Sequence, residues 1–245
     1  MPATSYKVWA EGARVGIGVM GSIHVGVAGV AKKASKDMPF AVANEIICGD
    51  LARALLLPIP PGFIIHRQEG GLPVPYHVSL NFNLAGEDLP PIQVSDVLKE
   101  QAQLAAGVLA FDTWILNNDR HTTNIAYYKA AKRLQIFDHS HAFFYGTTRE
   151  DAAKYLAQHK TTGLSYHCLA LAVSDTDSIK MWCDRIAQIP EFFIRETIKC
   201  TKELGLPGQD VDDCVNFLLE RRKILYGLLV PKDNGPKADE KGGVK

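Results

Sequence analysis

Two carboxylates and one amide lie close together in the middle of the chain, with types and spacing suited to handling magnesium and protons. The segment D-R-H-T-T-N runs from Asp119 to Asn124, and F-D-H-S follows with Asp138. Phosphoryl transfer requires a carboxylate that orients the attacking hydroxyl and oxygen ligands that hold Mg²⁺ against the phosphates. These three residues therefore predict phosphoryl-transfer chemistry.

Each of the three residues also has an ordinary use when it is taken alone. Asp and Asn are common in turns because their side chains hydrogen-bond the neighbouring backbone. The combination is more specific, because a short loop can face Asp119 toward an acceptor while Asn124 turns back toward a metal. A hairpin between Asn124 and Asp138 would then return Asp138 to the same place. The pattern as a whole favours the functional interpretation.

The elements that must position this segment follow from the residues around it. Ser95 is a good N-cap for a helix that is expected to run to about Leu116, shortly before Asp119. Two short strands, IAYY and LQIF, are expected to form the hairpin. The chain beyond is predicted to be mainly helical as far as Leu229.

The N-terminal third of the chain has a different composition, rich in Val, Ile and Gly. β-prone runs between residues 7 and 31 predict two or three antiparallel strands, and apolar residues at near-helical spacing predict one helix over 39–57. A hairpin is expected next, with strands at 63–66 and 76–80 and a turn at Glu69-Gly70-Gly71. This region is therefore predicted to be β-rich with one helix.

The fold class that follows is α+β with two lobes in a chain of 245 residues. Residues 1–85 are predicted to form a small β-rich N-terminal lobe with one helix, and residues 86–230 a mainly helical C-terminal catalytic lobe. Residues 231–245 are predicted to be a disordered tail. A cleft between two lobes is the default place for a ligand.

Four stretches follow one another along the chain: NEIICGDLARALLLPIPPGFI, FDTWILNNDRHTTNI, IFDHSHAFF and LLERRKILYGLL. In these stretches and in their order the chain resembles the HipA-like kinases, in particular the short HipA-like kinase domain, and more distantly the phosphoinositide kinases. The resemblance covers most of residues 25–230. It implies a two-lobed fold of the protein-kinase type and a phosphotransferase that depends on ATP and Mg²⁺.

The resemblance also implies roles for individual residues. Asp119 would act as the catalytic base, and Asn124 and Asp138 as Mg²⁺ ligands. Arg120 and His121 stand where the lipid kinases also carry Arg and His, and we group both with the catalytic residues.

A kinase of this kind needs a strand lysine that reaches the α- and β-phosphates and a glutamate on the N-terminal helix that holds it. The stretches VAKK and ANE offer Lys32 or Lys33 with Glu45. We favour Lys32, although the choice depends on strand register, which the sequence alone does not fix. Phe82 and Asn83, in the segment between the lobes, are the candidates for contact with adenine.

The comparison with the family suggests a phosphate-covering turn around Gly12 to Arg14. A G-x-G-x-x-G pattern follows at Gly16, Gly18 and Gly21, but it lacks the strand-to-helix context of a dinucleotide fingerprint. These later glycines are expected to lie inside the second strand.

Composition limits the classes of partner and the compartment. Lys plus Arg and Asp plus Glu number 27 each, so net charge attracts the chain neither to nucleic acid nor to an anionic membrane surface. Five cysteines without a C-x-x-C pair argue against a disulfide framework and a zinc site. The absence of a signal-peptide pattern and of a long apolar run predicts a cytoplasmic protein that does not span a membrane.

The resemblance leads us to expect phosphorylation of Ser or Thr in a protein, because HipA-like kinases phosphorylate protein targets. Two alternatives stay open: a lipid or small-molecule kinase, since DRHxxN is shared with phosphoinositide kinases, and a degenerate nucleotide-binding regulatory module without turnover. An inhibitory, antitoxin-like partner is also expected, because HipA-like kinases often act as toxins held by a cognate antitoxin.

Overall fold

The structure is a computed structural model that describes residues 28–83, 89–206 and 208–230. Over these residues the chain is α+β, as predicted, with two small antiparallel sheets and six α-helices. The strands expected before residue 28, the turn at Gly12 to Arg14 and the tail 231–245 lie outside the described residues. The described helices include none that is long and apolar enough to cross a membrane.

The first sheet has three strands in the order β1-β3-β2. Its strands are β1 Gly29–Lys33, β2 Gly62–Glu69 and β3 Leu72–Leu80. The last two form the expected hairpin, and its turn uses positive φ values at Gly70 and Gly71, which glycine adopts without steric cost. The pairing of β1 with β3 sets Lys32 opposite His77. This register decides which side chains of β1 face the helix that follows it.

Helix α1, Ala41–Ala54, packs against this sheet and falls within the range 39–57 that its apolar spacing predicts. Val42, Ile47 and Leu51 are fully buried. Burial of each such side chain contributes about 1.5–3 kcal/mol. Helix α1 therefore fixes the position of its polar residue Glu45, which is itself buried.

The rest of the described chain is mainly helical. Its helices are α2 Val94–Trp114, α3 Ala152–His159, α4 Thr176–Ala187, α5 Glu191–Lys199 and α6 Gly208–Leu229. Helix α2 lies at the centre, in contact with α4 and α6. The indole N–H of Trp114 donates to the carbonyl oxygen of Leu218 at 2.9 Å and joins α2 to α6. The end of α2 that leads into the segment with Asp119 is thus held in the core.

The start of α2 differs from the prediction. The helix begins at Val94 with Gln93 at the N-cap and no side-chain cap, so Ser95 lies in the first turn. The N–H of the preceding Ile92 donates to the carbonyl oxygen of Thr122 at 3.1 Å. This long-range bond and the burial of Ile92 fix where the helix begins.

A two-stranded sheet forms the expected hairpin after Asn124. Its strands are β4 Ile125–Tyr128 and β5 Arg133–Ile136. Ile125 lies opposite Ile136, and both are fully buried. The N–H of Phe137 then donates to the carbonyl oxygen of Asn124 at 3.3 Å. The hairpin therefore returns the chain to Asn124 one residue before Asp138.

Gly107 marks a close approach of α2 to α4. An ideal Cβ at this position would lie 2.3 Å from Cε2 of Trp182, whose indole N–H donates to the carbonyl oxygen of Gln103 at 2.7 Å. We expect Gly107→Ala to lower the free energy of unfolding by about 1–3 kcal/mol, because the ring must move. Urea unfolding measures this change.

Gly227→Ala in α6 is the matched control. An added Cβ there meets no atom of the described residues within 4 Å, so the better helix propensity of Ala should raise the free energy of unfolding by about 0.5–1 kcal/mol. If Gly107→Ala and Gly227→Ala changed the free energy of unfolding in the same direction, the described packing of α2 on α4 would be contradicted.

Candidate active site

A cleft of about 320 Å³ lies between the three-stranded sheet with α1 and the residues that follow β5. Among the residues that line it are Val30, Lys32, Glu45, His77, Asn81, Phe82, Asn83, Thr123, Phe137 and Asp138. Five of the site residues expected from the sequence, Lys32, Glu45, Phe82, Asn83 and Asp138, therefore line one cavity.

One ammonium group and two carboxylates meet in this cleft. Nζ of Lys32 lies 2.8 Å from Oε1 of Glu45 and 2.6 Å from Oδ1 of Asp138. The hydroxyl of Ser140 lies 3.1 Å from the same Nζ, 3.0 Å from Oε1 of Glu45 and 2.9 Å from Oδ1 of Asp138. Strand β1, helix α1 and the segment after β5 each contribute to this cluster.

The three charged groups of the cluster stabilise one another's ionised forms. Burial opposes ionisation of Glu45, but the hydrogen bond with His139 and the charge of Lys32 hold its pKa well below the ordinary value. Burial likewise opposes ionisation of Asp138, and Lys32 lowers the pKa of that carboxyl. The pKa of Lys32 is raised, because its two carboxylate partners outweigh the effect of burial. The cluster carries a net negative charge, which a cation would complement.

Lys33 lies on the other face of β1 and takes no part in the cluster. Its Nζ is 2.6 Å from Oε2 of Glu69, at an exposed position. Adjacent residues of a strand point to opposite faces, and the pairing of β1 with β3 turns Lys32 toward α1. The pairing of β1 with β3, which the sequence alone does not fix, thus makes Lys32 and not Lys33 the partner of Glu45.

Asp119 and Asn124 hold each other in the loop before β4. Nδ2 of Asn124 donates to the carbonyl oxygen of Asp119 at 2.9 Å and lies 3.3 Å from Oδ2 of the same residue. The N–H of Asp119 donates to Oδ1 of Asn117 at 3.2 Å. Nε2 of His121 is 3.6 Å from Oδ1 of Asp119, and the imidazole is partly exposed. With its amide nitrogen directed to Asp119, Asn124 keeps its amide oxygen for another partner.

Arg120, which we grouped with the catalytic residues, has no exposed surface. Its Nε and Nη2 bind the two oxygens of Asp112 at 2.8 and 3.1 Å. Nη1 donates to the carbonyl oxygens of Asn124 and Phe137 at 2.8 and 2.6 Å, and Nη2 donates to Nε2 of His139 at 2.8 Å. Its side chain therefore positions the two ends of the hairpin and does not reach the cleft surface.

Asp112 is the anion at the centre of this buried cluster, and the sequence reasoning missed it. Its carboxylate also accepts a hydrogen bond from Nδ2 of Asn117 at 2.9 Å and lies 2.9 Å from Nε2 of His167. Burial favours the neutral acid, yet the charge of Arg120 holds the pKa of Asp112 well below its ordinary value. A signal was present, since an Asp within the apolar run GVLAFDTWIL is unusual on a buried helix.

Asp138 has a positive φ of 61°, a left-handed backbone conformation that residues other than glycine rarely adopt. The conformation costs about 1–3 kcal/mol and persists only where surrounding bonds enforce it. Arg120 binds the carbonyl oxygen of Phe137, and Lys32 and Ser140 bind the carboxylate of Asp138. These contacts hold the backbone in this conformation. This geometry turns the carboxylate of Asp138 into the cleft.

Phe82 and Asn83 line the cleft where the chain leaves β3. The ring of Phe82 packs at 5.3 Å from that of Phe137, and the N–H of Asn83 donates to Oδ1 of Asn81 at 2.9 Å. Contact of this segment with adenine stays a prediction. Gly12, the remaining candidate, lies outside the described residues.

By type, the side chains of Asn124 and Asp138 are suited to a magnesium ion. Mg²⁺ prefers oxygen ligands and is usually held by one or two carboxylates together with substrate phosphates. The amide oxygen of Asn124 and the carboxylate of Asp138 are ligands of that type. Over the described ranges, no group of three or more His, Cys, Asp or Glu side chains could hold a metal ion.

The cleft, the paired Lys32 and Glu45, and the loop with Asp119 are compatible with a two-lobed kinase-like fold. A family model described as HipA-like kinase matches residues 30–216, which include all these residues. The chain therefore belongs to the HipA-like kinase family, as its motifs predicted. A comparison with curated proteins found no match. Membership indicates phosphoryl transfer of the kinase type.

The buried role of Arg120 can be tested by a substitution that keeps its charge. Lysine lacks the planar fork and cannot donate to Asp112 and to the carbonyls of Asn124 and Phe137 together. We expect Arg120→Lys to lower the free energy of unfolding by about 3 kcal/mol, because buried acceptors lose their donor.

Urea unfolding is again the measurement, with Arg195→Lys as control. Arg195 pairs with Glu191 and Asp212 on the surface, where exposed ion pairs contribute little, so this change should leave stability as it is. An equally small effect of Arg120→Lys would contradict the assigned network.

Proposed function

We propose that this chain transfers the γ-phosphoryl group of Mg²⁺-ATP to the hydroxyl of a Ser or Thr residue in a protein. The observation that carries the proposal is the cluster of Lys32, Glu45 and Asp138 in a cleft beside the loop of Asp119 and Asn124. These residues supply the three groups that phosphoryl transfer needs: a cation for the phosphates, oxygen ligands for a metal and a carboxylate for the acceptor.

The binding of the nucleotide follows from the charges of the cluster. Lys32, whose ammonium group forms an ion pair with Glu45, would contact phosphate oxygens. Asn124 and Asp138 would hold Mg²⁺, which neutralises negative charge on the phosphates when it is bound. Asp138 would then exchange its contact with Lys32 for one with the metal, while Glu45 keeps the ammonium in place.

The carboxylate of Asp119 would accept the proton of the attacking hydroxyl. The acceptor oxygen forms a bond to the γ-phosphorus, the bond from that phosphorus to the β–γ bridging oxygen breaks, and ADP leaves with the electron pair. Asn117 and Asn124 orient the segment that carries this carboxylate. His121 lies beside this carboxylate, with its Nε2 3.6 Å from Oδ1 of Asp119.

A protein acceptor is proposed because of kinship with the HipA-like kinases. On the same ground we propose that the chain works in the cytoplasm and that a cognate inhibitory protein binds it. Its balanced charge offers no general attraction for nucleic acid or an anionic membrane.

Two neighbouring lysines provide a matched test of nucleotide binding. We expect Lys32→Met to raise the Kd for ATP in the presence of Mg²⁺ by about tenfold or more, because a charge-assisted contact with phosphate is lost. Lys33→Met removes the same charge one residue away, on the other face of β1, and should leave the Kd as it is. Calorimetry measures the Kd for ATP of both variants, and equal values would contradict the role given to Lys32.

The assignment of the base is tested by Asp119→Asn, which preserves shape and removes proton acceptance. We expect transfer of labelled γ-phosphate to protein in a cell lysate to fall by about 100-fold to 10,000-fold, with ATP binding retained. Asp138→Asn should weaken the binding of Mg²⁺-ATP as well, because a metal ligand loses its charge.

Asp184→Asn is the control for both changes, since Asp184 pairs only with surface Lys180 among the described residues. Undiminished transfer by Asp119→Asn would refute the assigned base. Binding of ATP by the unmodified chain without any transfer would instead favour a regulatory module without turnover.

A further inference from the structure

The imidazole of His139 is fully buried between the guanidinium of Arg120 and the carboxylate of Glu45. Nη2 of Arg120 lies 2.8 Å from Nε2 of His139. A guanidinium can only donate hydrogen bonds, so Nε2 of the imidazole must accept. A ring that accepts at Nε2 carries its proton on Nδ1. The contact with Arg120 therefore makes His139 the neutral Nδ1–H tautomer.

The N–H at Nδ1 of His139 is buried and has no hydrogen-bond partner among the described residues. Oε2 of Glu45 lies 3.8 Å from this nitrogen, farther than the usual donor–acceptor distance of about 2.7–3.2 Å. A buried donor without an acceptor destabilises a protein, because the donor has lost its water and gained nothing in exchange. A small approach of Glu45 would therefore satisfy the ring.

The two oxygens of the Glu45 carboxylate are used unequally. Oε1 accepts from Nζ of Lys32, the hydroxyl of Ser140 and the backbone N–H of His139 at 2.8, 3.0 and 3.2 Å. Oε2 accepts no hydrogen bond within the part of the chain that the structure describes, and its contact is the one at 3.8 Å with Nδ1 of His139. A carboxylate can accept at both oxygens. An unpaired donor and an unpaired acceptor thus lie next to each other beside the cleft.

We propose that His139 is a positioning residue for Glu45: its Nδ1–H donates to Oε2 of Glu45 when ATP binds, and this bond fixes the carboxylate that orients Lys32. The inference rests on the proposed function, in which Asp138 gives up its contact with Lys32 and Glu45 alone keeps the ammonium in place. A shift of about 1 Å is enough to form the bond. A hydrogen bond to an ionised acceptor is about twice as strong as one between neutral groups.

Nitrogen NMR of the unmodified chain with isotopically labelled histidine tests the tautomer and the new bond without any measurement of activity. We expect the ring of His139 to carry a proton on Nδ1 and none on Nε2, and His139→Gln assigns its signal. The Nδ1–H proton should move downfield when Mg²⁺ and a non-hydrolysable ATP analogue bind, because the hydrogen bond forms. A ring protonated on Nε2, or an Nδ1–H signal that bound nucleotide leaves unchanged, would overturn the proposal.

Two substitutions separate positioning from packing. His139→Leu removes the ring donor and acceptor, whereas His139→Gln keeps an acceptor for Arg120 and a donor for Glu45. We expect His139→Leu to raise the Kd for ATP in the presence of Mg²⁺ about fivefold, and His139→Gln to restore most of the affinity. His141→Leu is the matched control and should leave the Kd as it is, because the ring of His141 is partly exposed and packs 5.1 Å from that of Tyr145.

The same substitution combined with Lys32→Met shows whether His139 acts through the lysine. The effect of His139→Leu on the Kd should disappear in this background, because the ammonium to be oriented is absent. An equal effect with and without Lys32 would overturn the proposal, and so would an unchanged Kd in His139→Leu; both outcomes leave the proposed function intact. If the unmodified chain binds no ATP, the proposed function fails and the role of His139 with it. If His139→Leu does not fold, the NMR of the unmodified chain decides.

Discussion

The buried ion pair of Arg120 and Asp112 is the interaction on which the arrangement of the site depends. Removing both charges from water is costly and is tolerated only where further hydrogen bonds satisfy each group. Arg120 meets this condition with the carbonyls of Asn124 and Phe137, at the two ends of the β4–β5 hairpin. Asp112 meets it with Asn117 and His167. The proposed metal ligands and the proposed base are therefore positioned by one polar centre.

The same centre is linked to the sheet side of the cleft through the residues after Asp138. His139 accepts from Arg120 on its ring, and its backbone N–H donates to Oε1 of Glu45 at 3.2 Å. Nδ2 of Asn44 donates to the carbonyl oxygen of Ser140 at 2.9 Å. A continuous series of polar contacts thus joins the buried arginine to helix α1 and to Lys32. Any shift of α1 would change the environment of the ammonium that we assign to the phosphates.

Local patterns predicted those parts of the molecule whose cause is local. The range of α1 follows from apolar spacing, the β2–β3 turn from its glycines, and the β4–β5 hairpin between Asn124 and Asp138 from two short β-prone runs. The choice of Lys32 over Lys33 depends on pairing with β3, which lies far along the chain. The burial of Arg120 likewise depends on Asp112 and His139, so a motif position alone could not distinguish contact with substrate from positioning. The carbonyl oxygens of His159, Lys160 and Thr162 accept from Nη1 of Arg221, which lies 59 to 62 residues further on, so no local pattern could indicate the conformation of this segment.

A crystal structure with Mg²⁺ and a non-hydrolysable ATP analogue tests the central claim most directly. We expect the metal about 2.0–2.1 Å from the amide oxygen of Asn124 and a carboxylate oxygen of Asp138. Lys32 should contact the phosphates while it keeps Glu45, and the γ-phosphate should face Asp119. A nucleotide outside this cleft, or a metal held without Asn124 and Asp138, would contradict the account.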